Sequence, residues 1–488
     1  MAAISPSIVW LRNDLRLTDN PAVQAAIVPG TPPLFVYIVD DSDKGRAQGR
    51  PQGSASLWWL HHSLAALAAD LKSRGSRLDI LRGDPADLIP ALAAAFDAKH
   101  VAWTRRYDAA GIDIDSRIKS TLTAAGIAAE SFNGQLLREP WTVKTKTGGP
   151  FRVFTPFWRA CQALPPPAEP LRAPRRLTAV PWNRNAPTRV SIQELGLLPT
   201  KPDWTAGLRE AWTPGEAGAR QRLVDFLDNA LLRYENERDL PSRPSTSRLS
   251  PHLTFGEISP RQIWHAAQHT AAKSAAAAQN VDKFLSEIGW REFSYHLLFH
   301  NPDLARKNLQ ARFDDFPWRT RASKDLRAWQ QGMTGYPIVD AGLRELRQTG
   351  IMHNRVRMIA ASFLIKHLLI DWREGERWFW DTLVDADPAN NAASWQWVAG
   401  SGADAAPFFR IFNPILQGEK FDPDGDYVRR FVPELADCPS AFIHKPWLAQ
   451  KAELQKAGIR LGETYPTPIV DHAEARERAL AALKQLKD

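Results

Sequence analysis

A short segment near the end of the chain gathers side chains of very different chemistry. The stretch DADPANNAASWQW carries the carboxylates Asp385 and Asp387, then two adjacent amides that include Asn391. It ends with a pair of indoles, Trp395 and Trp397. A plain core needs no such mixture, because buried polar groups are costly unless they are hydrogen-bonded. The combination therefore indicates a functional segment.

A second candidate is PSTSRLSPHLTFG, which runs from Pro244 to Gly256. In it the hydroxyls of Thr246, Ser247 and Ser250 surround Arg248 just ahead of a predicted helix. Hydroxyls, backbone N–H groups and a guanidinium at a helix start suit a phosphate or pyrophosphate. Taken alone, the stretch fits an ordinary helix N-cap equally simply.

A stripe of mixed chemistry follows in FLSEIGWREFSYHLL. Glu287, Trp290, Arg291 and Ser294 fall on one face of the predicted helix. An acid, a flat aromatic ring and a cation on one stripe are unusual for a core face. The alternative is a partly exposed stripe with a Glu–Arg pair.

The segment MHNRVRMIAASFL predicts another such helix. Asn354, Arg357 and Met358 share a face, with Arg355 beside them. Because the flanking sequence is apolar, Arg357 needs a buried partner. A carboxylate from 385–387 could supply it, which would bring the amides and indoles of that segment to the same pocket.

The pattern of apolar residues predicts the elements that position these side chains. Alternating strands and Ala/Leu-rich helices over the first third favour a parallel α/β sheet, although no G-x-G-x-x-G follows a strand. Strands are predicted at 7–11, 33–40, 77–83 and 100–106, and helices at 54–75 and 86–96. Ligands of such sheets lie at the carboxyl ends of the strands, where RNDLR (12–16) and TRRYD (104–108) fall. Solvated loops are the alternative for both.

Three regions follow from these patterns. Residues 1–133 form the α/β domain, and residues 134–205, rich in proline and basic side chains, form a connector that wraps the surface. Residues 206–488 show helical patterns separated by turn signals, with no β alternation. They predict a large all-α domain.

Composition limits the class of protein. The chain of 488 residues is too long for one ordinary core, and its net charge of +8 permits a nucleic-acid partner without establishing one. Two cysteines, Cys161 and Cys438, cannot form a disulfide framework. We find no signal peptide and no apolar run that could span a bilayer. These features predict a cytoplasmic protein with no membrane attachment.

A series of motifs runs through the chain in a fixed order. They are WLRNDLRLTDNPA, TSRLSPHLTFGEISPRQ, EIGWREF, WQQGMTGYPIVDAGLREL, MHNRVRM, DWREGE, NNAASWQW and FFRIFNPILQGEKFDPDGDYVRR. In this order they resemble the DNA photolyase/cryptochrome family over nearly the whole chain. The resemblance implies a Rossmann-like α/β domain and a large all-α domain that holds a folded FAD. GEISPRQIW and FWDTLVDAD look closest to the bacterial class III photolyases of cyclobutane pyrimidine dimers.

The resemblance also implies roles for individual residues. FAD would be held by Tyr234, Thr246, Ser247, Arg248, Leu249, Ser250, Arg357, Asp385, Asp387 and Asn391. Arg357 and Asp385 would pair beside the isoalloxazine, and Asn391 would face flavin N5, where plant cryptochromes carry Asp. The amide therefore favours a repair enzyme. An electron-transfer chain from the flavin to the surface would consist of Trp395, Trp372 and Trp318.

The implied reaction is light-driven repair of cyclobutane pyrimidine dimers by electron transfer from excited FADH− to a dimer flipped out of UV-damaged DNA. Glu287 and Asn391 would be the catalytic residues, and Glu287 would hydrogen-bond the dimer. The (6-4) repair enzymes carry histidines where this chain has Asn354 and Met358. Residues expected at the dimer or the DNA are Glu287, Trp290, Arg291, Asn354, Arg355, Met358, Trp397, Arg410 and Arg238.

Some features stay open at this stage. A blue-light signalling receptor of the cryptochrome type is the alternative function. The N-terminal domain is expected to hold an antenna pigment, with methenyltetrahydrofolate favoured over a deazaflavin or no pigment. We expect a monomer and assign no metal site.

Overall fold

The computed structural model describes residues 5–28, 30–40, 50–404 and 409–486. The N-terminal part is a parallel sheet of five strands in the order β3-β2-β1-β4-β5. The strands are β1 Ser7–Leu11, β2 Pro33–Val39, β3 Leu78–Arg82, β4 His100–Thr104 and β5 Ala128–Phe132. The parallel α/β sheet predicted from the sequence is confirmed, and its four predicted strands form within a residue or two of their expected bounds.

Helices cover both faces of this sheet, as buried parallel strands require. Val9 and Leu11 of β1 pack in one core with the helix Ser54–Ser73, whereas Ile8 and Trp10 pack in another beneath the helices that follow β3 and β4. The helices of this part are Pro21–Ala26, Ser54–Ser73, Pro85–Ala95 and Ala109–Ala124. The sequence did not predict β5, because its AAESF is a half-exposed edge strand without an apolar run.

Residues 134–205, predicted to be a connector, contain little regular structure. No helix or strand forms in residues 164–187. A single α-helix, Phe154–Gln162, and a 3-10 turn, Gln193–Leu195, interrupt this region. The first of these was missed, because nine residues with a proline near the start give a weak helical signal.

The remaining described residues are helical, and no strand forms among them beyond 205. Their α-helices are Ala206–Ala211, Glu216–Asn229, Tyr234–Glu237, Ser250–Thr254, Pro260–Ala271, Ala275–His300, Ser323–Gln331, Pro337–Thr349, Asn354–Ser362, Trp372–Thr382, Asn390–Ala399, Pro414–Phe421, Asp426–Phe431, Lys451–Lys456 and His472–Lys484. Short 3-10 turns lie at Leu231–Arg233, Ala311–Asp315, Pro433–Leu435 and Pro446–Leu448, and a π turn lies at Phe363–His367. None of the described helices is long and apolar enough to cross a membrane.

The carboxyl ends of β1 and β4 are covered by the helical part. Arg12 pairs with Asp115 of the same α/β part at 2.8 Å, whereas the side chain of Asn13 reaches the helical part and donates to the carbonyl of Thr254 at 3.1 Å. Gly256 has a φ of +64°, and a Cβ there would lie 2.0 Å from the carbonyl oxygen of Asn13. Most of RNDLR is buried and TRRYD is buried or half-buried, so neither segment is a solvated loop. The loops instead form a buried interface between the two parts of the molecule.

Candidate active site

A cavity of about 1160 Å³ lies in the helical part of the molecule. Side chains from the helices Ala275–His300, Asn354–Ser362 and Asn390–Ala399 line it, together with the loop before Ser250. All ten residues expected to hold FAD line this one cavity: Tyr234, Thr246, Ser247, Arg248, Leu249, Ser250, Arg357, Asp385, Asp387 and Asn391. The fold thus brings the hydroxyl-rich segment and the acid–amide segment to the same space.

The ion pair expected for Arg357 forms with Asp385. Arg357 Nη2 lies 2.9 and 3.1 Å from the two carboxylate oxygens, and Arg357 Nε donates to the carbonyl of Met352 at 2.7 Å. Ser250 Oγ donates to the same carboxylate at 2.7 Å. Because Asp385 is buried, these donors offset the cost of removing its charge from water.

Asp387 fixes the turn that leads into the helix Asn390–Ala399. One of its oxygens accepts the backbone N–H groups of Ala389 at 2.9 Å and Asn390 at 2.7 Å. Its other oxygen accepts the hydroxyl of Tyr295 at 2.6 Å. This carboxylate therefore holds the segment that carries Asn391 in a defined position at the cavity wall.

Three arginines line the cavity near the hydroxyl-rich segment. Arg248 and Arg222 lie over the ring of Trp212, at 4.3 and 5.2 Å from its centroid, and Arg430 completes the group. Burial, with repulsion from Arg222 and Arg430, lowers the pKa of Arg248 to about 10. The described residues place no carboxylate within ion-pairing distance of these three cations. An anionic group of a ligand would relieve this arrangement.

Arg222 and Arg430 were missed by the sequence reasoning. They belong to the helices Glu216–Asn229 and Asp426–Phe431, where isolated arginines look like ordinary surface residues. No local pattern could have found them, because only the packing of distant helices brings them to Arg248.

The residues present fit FAD. The cavity is larger than the roughly 300–1,000 Å³ typical of small-molecule sites. Unpaired arginines and hydroxyls suit its pyrophosphate, and aromatic and apolar walls from Phe284, Ile288 and Phe379 suit its rings. Among the described residues, no group of three or more acids, histidines or cysteines is arranged so that it could hold a metal ion.

Four of the expected dimer or DNA residues lie together on the cavity wall: Glu287, Trp290, Arg291 and Arg238. Glu287 is ion-paired with Arg238, and both line the cavity. Trp290 also lines it and stacks one face on Phe154, with ring centroids 3.8 Å apart and planes 9° apart. This contact leaves the opposite face of Trp290 for a flat ligand ring.

The stripe of Asn354, Arg357 and Met358 faces the cavity as predicted, but Arg355 does not line it. Arg355 pairs with Asp239 at 2.6 Å and lies 4.4 Å from the ring centroid of Phe421. The expectation that Arg355 lines the pocket is therefore wrong. Its position on the helix directs it to a neighbouring acid.

Arg291 also departs from expectation. Arg291 lines the cavity, but it is buried, donates to the carbonyl of Gln135 at 2.7 Å and lies 4.8 Å from the ring centroid of Tyr295, whereas it was expected near DNA phosphates. Helical spacing placed it correctly beside Glu287. It could not show that the connector covers this part of the helix.

Trp397 and Arg410 lie outside the cavity lining. Trp397 is half-buried, and its indole N–H donates to the carbonyl of Asp404 at 3.0 Å. Arg410 is exposed and therefore free to meet a polyanion. Neither side chain lines the cavity, so any contact that they make with the dimer or the DNA lies outside it.

The three tryptophans expected to carry electrons differ in exposure. Trp395 lines the cavity, and its ring centroid lies 5.0 Å from that of Phe379. Trp372 is fully buried and donates to Asn308 Oδ1 at 2.9 Å, while Trp318 is half-buried. The electron-transfer chain through these three indoles stays a prediction.

The amide of Asn391 is held by a neighbouring helix. Its Nδ2 donates to both the carbonyl oxygen and the Oε1 of Glu376, at 3.0 and 2.7 Å. Glu376 in turn forms a two-point ion pair with Arg50, at 2.6 and 2.8 Å. No local pattern indicates the contact between Arg50 and Glu376, because the two residues are more than 300 positions apart in the chain.

Comparison with known proteins decides the family. Residues 7–175 match the family model for DNA photolyase, and residues 284–485 match that for the FAD binding domain of DNA photolyase. A deoxyribodipyrimidine photo-lyase from Agrobacterium fabrum is 56% identical, with 99% of this chain and 98% of that protein covered. This chain belongs to the DNA photolyase family. Cryptochrome-1 of Arabidopsis thaliana is 39% identical over 98% of this chain and 70% of its own length.

Solved structures of the family share the fold. A bacterial class III photolyase from Agrobacterium tumefaciens has a TM-score of 0.94 at 55% identity, covering 100% of this chain and 98% of its own. A Synechocystis cryptochrome has a TM-score of 0.87 at 30% identity, covering 99% and 100%. The resemblance seen in the motifs and the photolyase/cryptochrome fold are therefore confirmed, and the likeness to class III photolyases is confirmed with them.

Proposed function

We propose that this protein is a photolyase that repairs cyclobutane pyrimidine dimers in UV-damaged DNA, with FAD as its cofactor. The observation that carries the proposal is a single cavity that collects the flavin-type residues and, on the same wall, Glu287 and Trp290. Bound and reduced FAD supplies the light-driven electron that opens the cyclobutane ring.

The residues of this chain would bind and orient the cofactor. Arg222, Arg248 and Arg430 would neutralise the pyrophosphate, with hydroxyls from the Thr246 segment as further donors. The Arg357–Asp385 pair would lie beside the isoalloxazine, and Asn391 would meet its N5 edge. Asp385 and Asn391 are buried, so water has little access to these two side chains.

The dimer would enter the same cavity after leaving the duplex, at low cost because a damaged pair stacks poorly. Glu287 would accept a hydrogen bond from a ring N–H on the dimer's carbonyl edge, and Arg238, its ion-pair partner, would keep that side chain in place. Trp290 would offer its free face to one pyrimidine ring, between Asn354 and Met358 on the opposing helix.

The alternative is a blue-light signalling receptor, which the likeness to plant cryptochromes keeps in view. The amide at Asn391 favours repair, since it stands where those receptors carry an acid.

We further infer that the protein acts as a monomer in the cytoplasm, and that the domain boundaries lie near residues 133 and 205.

We also propose an antenna pigment in the α/β domain, with methenyltetrahydrofolate favoured. An archaeal photolyase from Sulfolobus tokodaii, whose structure holds two FAD molecules and is described as implying a novel light-harvesting cofactor, supports the general expectation of a second pigment. Chromatography of pigments released from the purified protein tests this part separately.

A repair assay tests the proposal. Dimer-containing DNA is incubated with the protein in light and in darkness, and remaining dimers are counted. We expect dimers to be lost in the light and not in darkness. Equal numbers of remaining dimers in both arms would favour the receptor function instead.

Glu287→Ala tests the site within the same assay. The loss of a hydrogen bond from a charged group should lower the repair yield about tenfold or more, with FAD still bound. Glu463→Ala, at an exposed surface pair with Arg460, is the matched control and should repair normally. Loss of FAD from Glu287→Ala would contradict the assigned role.

A further inference from the structure

The segment around Arg50 contacts the helix that supports Asn391. The backbone carbonyl of Pro51 accepts the indole N–H of Trp380 at 2.7 Å, and Ser54 donates to Asp381 through its N–H and hydroxyl at 2.9 and 2.8 Å. Arg50 itself lies 4.2 Å from the ring centroid of Trp380. This part of the chain, N-terminal to the sheet-covering helix Ser54–Ser73, is thus fixed against the helix Trp372–Thr382.

Arg50 makes the charge of Glu376 tolerable. Glu376 is 2% exposed, and Arg50 is the cation that meets both of its oxygens. A buried carboxylate is costly without such a partner. Paired with an arginine it is ionised, and an ionised carboxylate only accepts hydrogen bonds.

This property fixes the orientation of the Asn391 amide. Both groups that meet the amide from Glu376, a carbonyl oxygen and a charged carboxylate oxygen, can only accept. They therefore select Nδ2, whose two hydrogens they use. The amide oxygen is left for the cavity, and no hydrogen bond within the described residues uses it.

We propose that Arg50 is a positioning residue for the flavin site: it keeps Glu376 acceptor-only, so that Asn391 presents its oxygen to the cavity. This inference rests on the proposed function, and it predicts which redox state of the flavin the site prefers. An oxygen at N5 accepts the N–H of a reduced flavin, whereas an amide N–H there would favour the oxidised flavin, whose N5 is an acceptor. A residue outside the helical part would thus tune the cofactor toward its repair-competent form.

Arg50→Met is the primary test. Without Arg50 the carboxylate of Glu376 loses both of its ion-pair contacts, and the amide of Asn391 is no longer held with Nδ2 toward it. At a fixed applied potential, the ratio of reduced to oxidised bound flavin should fall about tenfold, the size expected for one lost hydrogen bond. Arg50→Lys keeps the charge and should restore most of the wild-type ratio.

Arg377→Met controls for the loss of one positive charge. It lies on the same helix, is exposed and pairs with Glu374, away from Glu376's carboxylate. Arg377→Met should leave the ratio of reduced to oxidised flavin unchanged. If it shifts this ratio as much as Arg50→Met does, the loss of one positive charge alone explains the effect, and the proposal is overturned.

Glu376→Gln keeps the test decisive if Arg50→Met does not fold. Its amide can donate to Asn391 without burying a charge, and the ratio should fall in the same direction. A wild-type ratio in either variant with FAD bound would overturn the role of Arg50 while leaving the proposed function intact. A wild-type protein that binds no FAD would instead overturn the proposed function.

Discussion

Trp395 differs from the other indoles of the segment in what surrounds its N–H. It lines the cavity and is almost fully buried, yet its Nε1 has no hydrogen-bond partner within the described residues. Gly375 permits this packing, since a Cβ there would lie 2.1 Å from the indole ring. The ring is therefore packed between the cavity and the helix Trp372–Thr382, a position that is compatible with the proposed electron-transfer role.

Trp395→Phe should slow light-driven reduction of the oxidised flavin. Phenylalanine keeps an aromatic ring in the space but is much harder to oxidise than an indole. The rate of bleaching of the oxidised-flavin absorbance under blue light, with an external reductant, measures the effect. We expect a loss of about tenfold or more.

Trp182→Phe provides the control. Trp182 packs on Phe96 beside the sheet and does not line the cavity. The oxidised flavin of this variant should therefore bleach at the wild-type rate. Unchanged bleaching in Trp395→Phe would show that electrons reach the flavin by another route.

At the same scale, helical spacing predicted which side chains share a face but not what each one meets. It placed Asn354, Arg357 and Met358 on the cavity wall, and it identified the Asp385 segment as the partner of Arg357. It could not foresee that Arg291 and Arg355 would be taken up by neighbours. Those neighbours are distant in sequence, and spacing along one helix carries no information about them.

At the scale of elements, the π turn Phe363–His367 holds an unusual buried cation. Lys366 is 2% exposed, donates to the carbonyl of Arg410 at 2.5 Å and lies 4.3 Å from the ring centroid of Phe409. Burial, with repulsion from Arg410, lowers the pKa of Lys366 to about 7. The turn thus connects the core to the segment that carries an expected DNA contact.

Lys366→Met should stabilise the protein more at low pH than at high pH. The folded-state pKa of Lys366 lies below its unfolded value of 10.5, so the cost of its charge is fully present below about pH 7 and disappears as pH rises toward 10.5. Between about pH 6.5 and pH 9 the advantage of the variant should shrink by about 2–3 kcal/mol.

Thermal melts of both proteins at the two pH values measure this change, and other titrations cancel in the difference. If Lys366→Met gains the same stability over the wild type at both pH values, the lowered pKa of Lys366 is contradicted. A Met in place of Lys366 keeps a similar volume, so packing contributes little to the comparison.

The elements themselves were largely predictable where periodicity was strong. Strands such as PLFVYIV and helices such as PIVDAGLRELRQT were evident from their apolar patterns, and both formed. The edge strand β5 and the helix Phe154–Gln162 were not, because a short or half-exposed element gives no clear period. The use of the strand ends as a domain interface was likewise beyond a local pattern.

At the scale of the whole molecule, the positive charge should govern affinity for undamaged DNA. The net charge is +8, and Arg410 is exposed on the segment after the Trp397 helix. Binding through phosphates releases counterions and therefore weakens as salt rises. Sequence alone gave this expectation but not the surface on which the charges lie.

Arg410→Ala should weaken binding to all DNA sequences alike. Loss of one phosphate contact should reduce the slope of log affinity against log salt by about 1. Titrations of fluorescent duplex at several salt concentrations measure the slope. Arg184→Ala, in the exposed part of the connector, is the control and should keep the wild-type slope; an unchanged slope in Arg410→Ala would remove it from the DNA-binding surface.

The central claim is that the cavity of the helical part holds FAD. Release of cofactor from denatured, purified protein, followed by chromatography, tests it most directly. We predict one FAD per chain, either copurified or taken up on incubation. Protein that stays colourless after incubation with FAD, while folded by thermal melting, would contradict the claim.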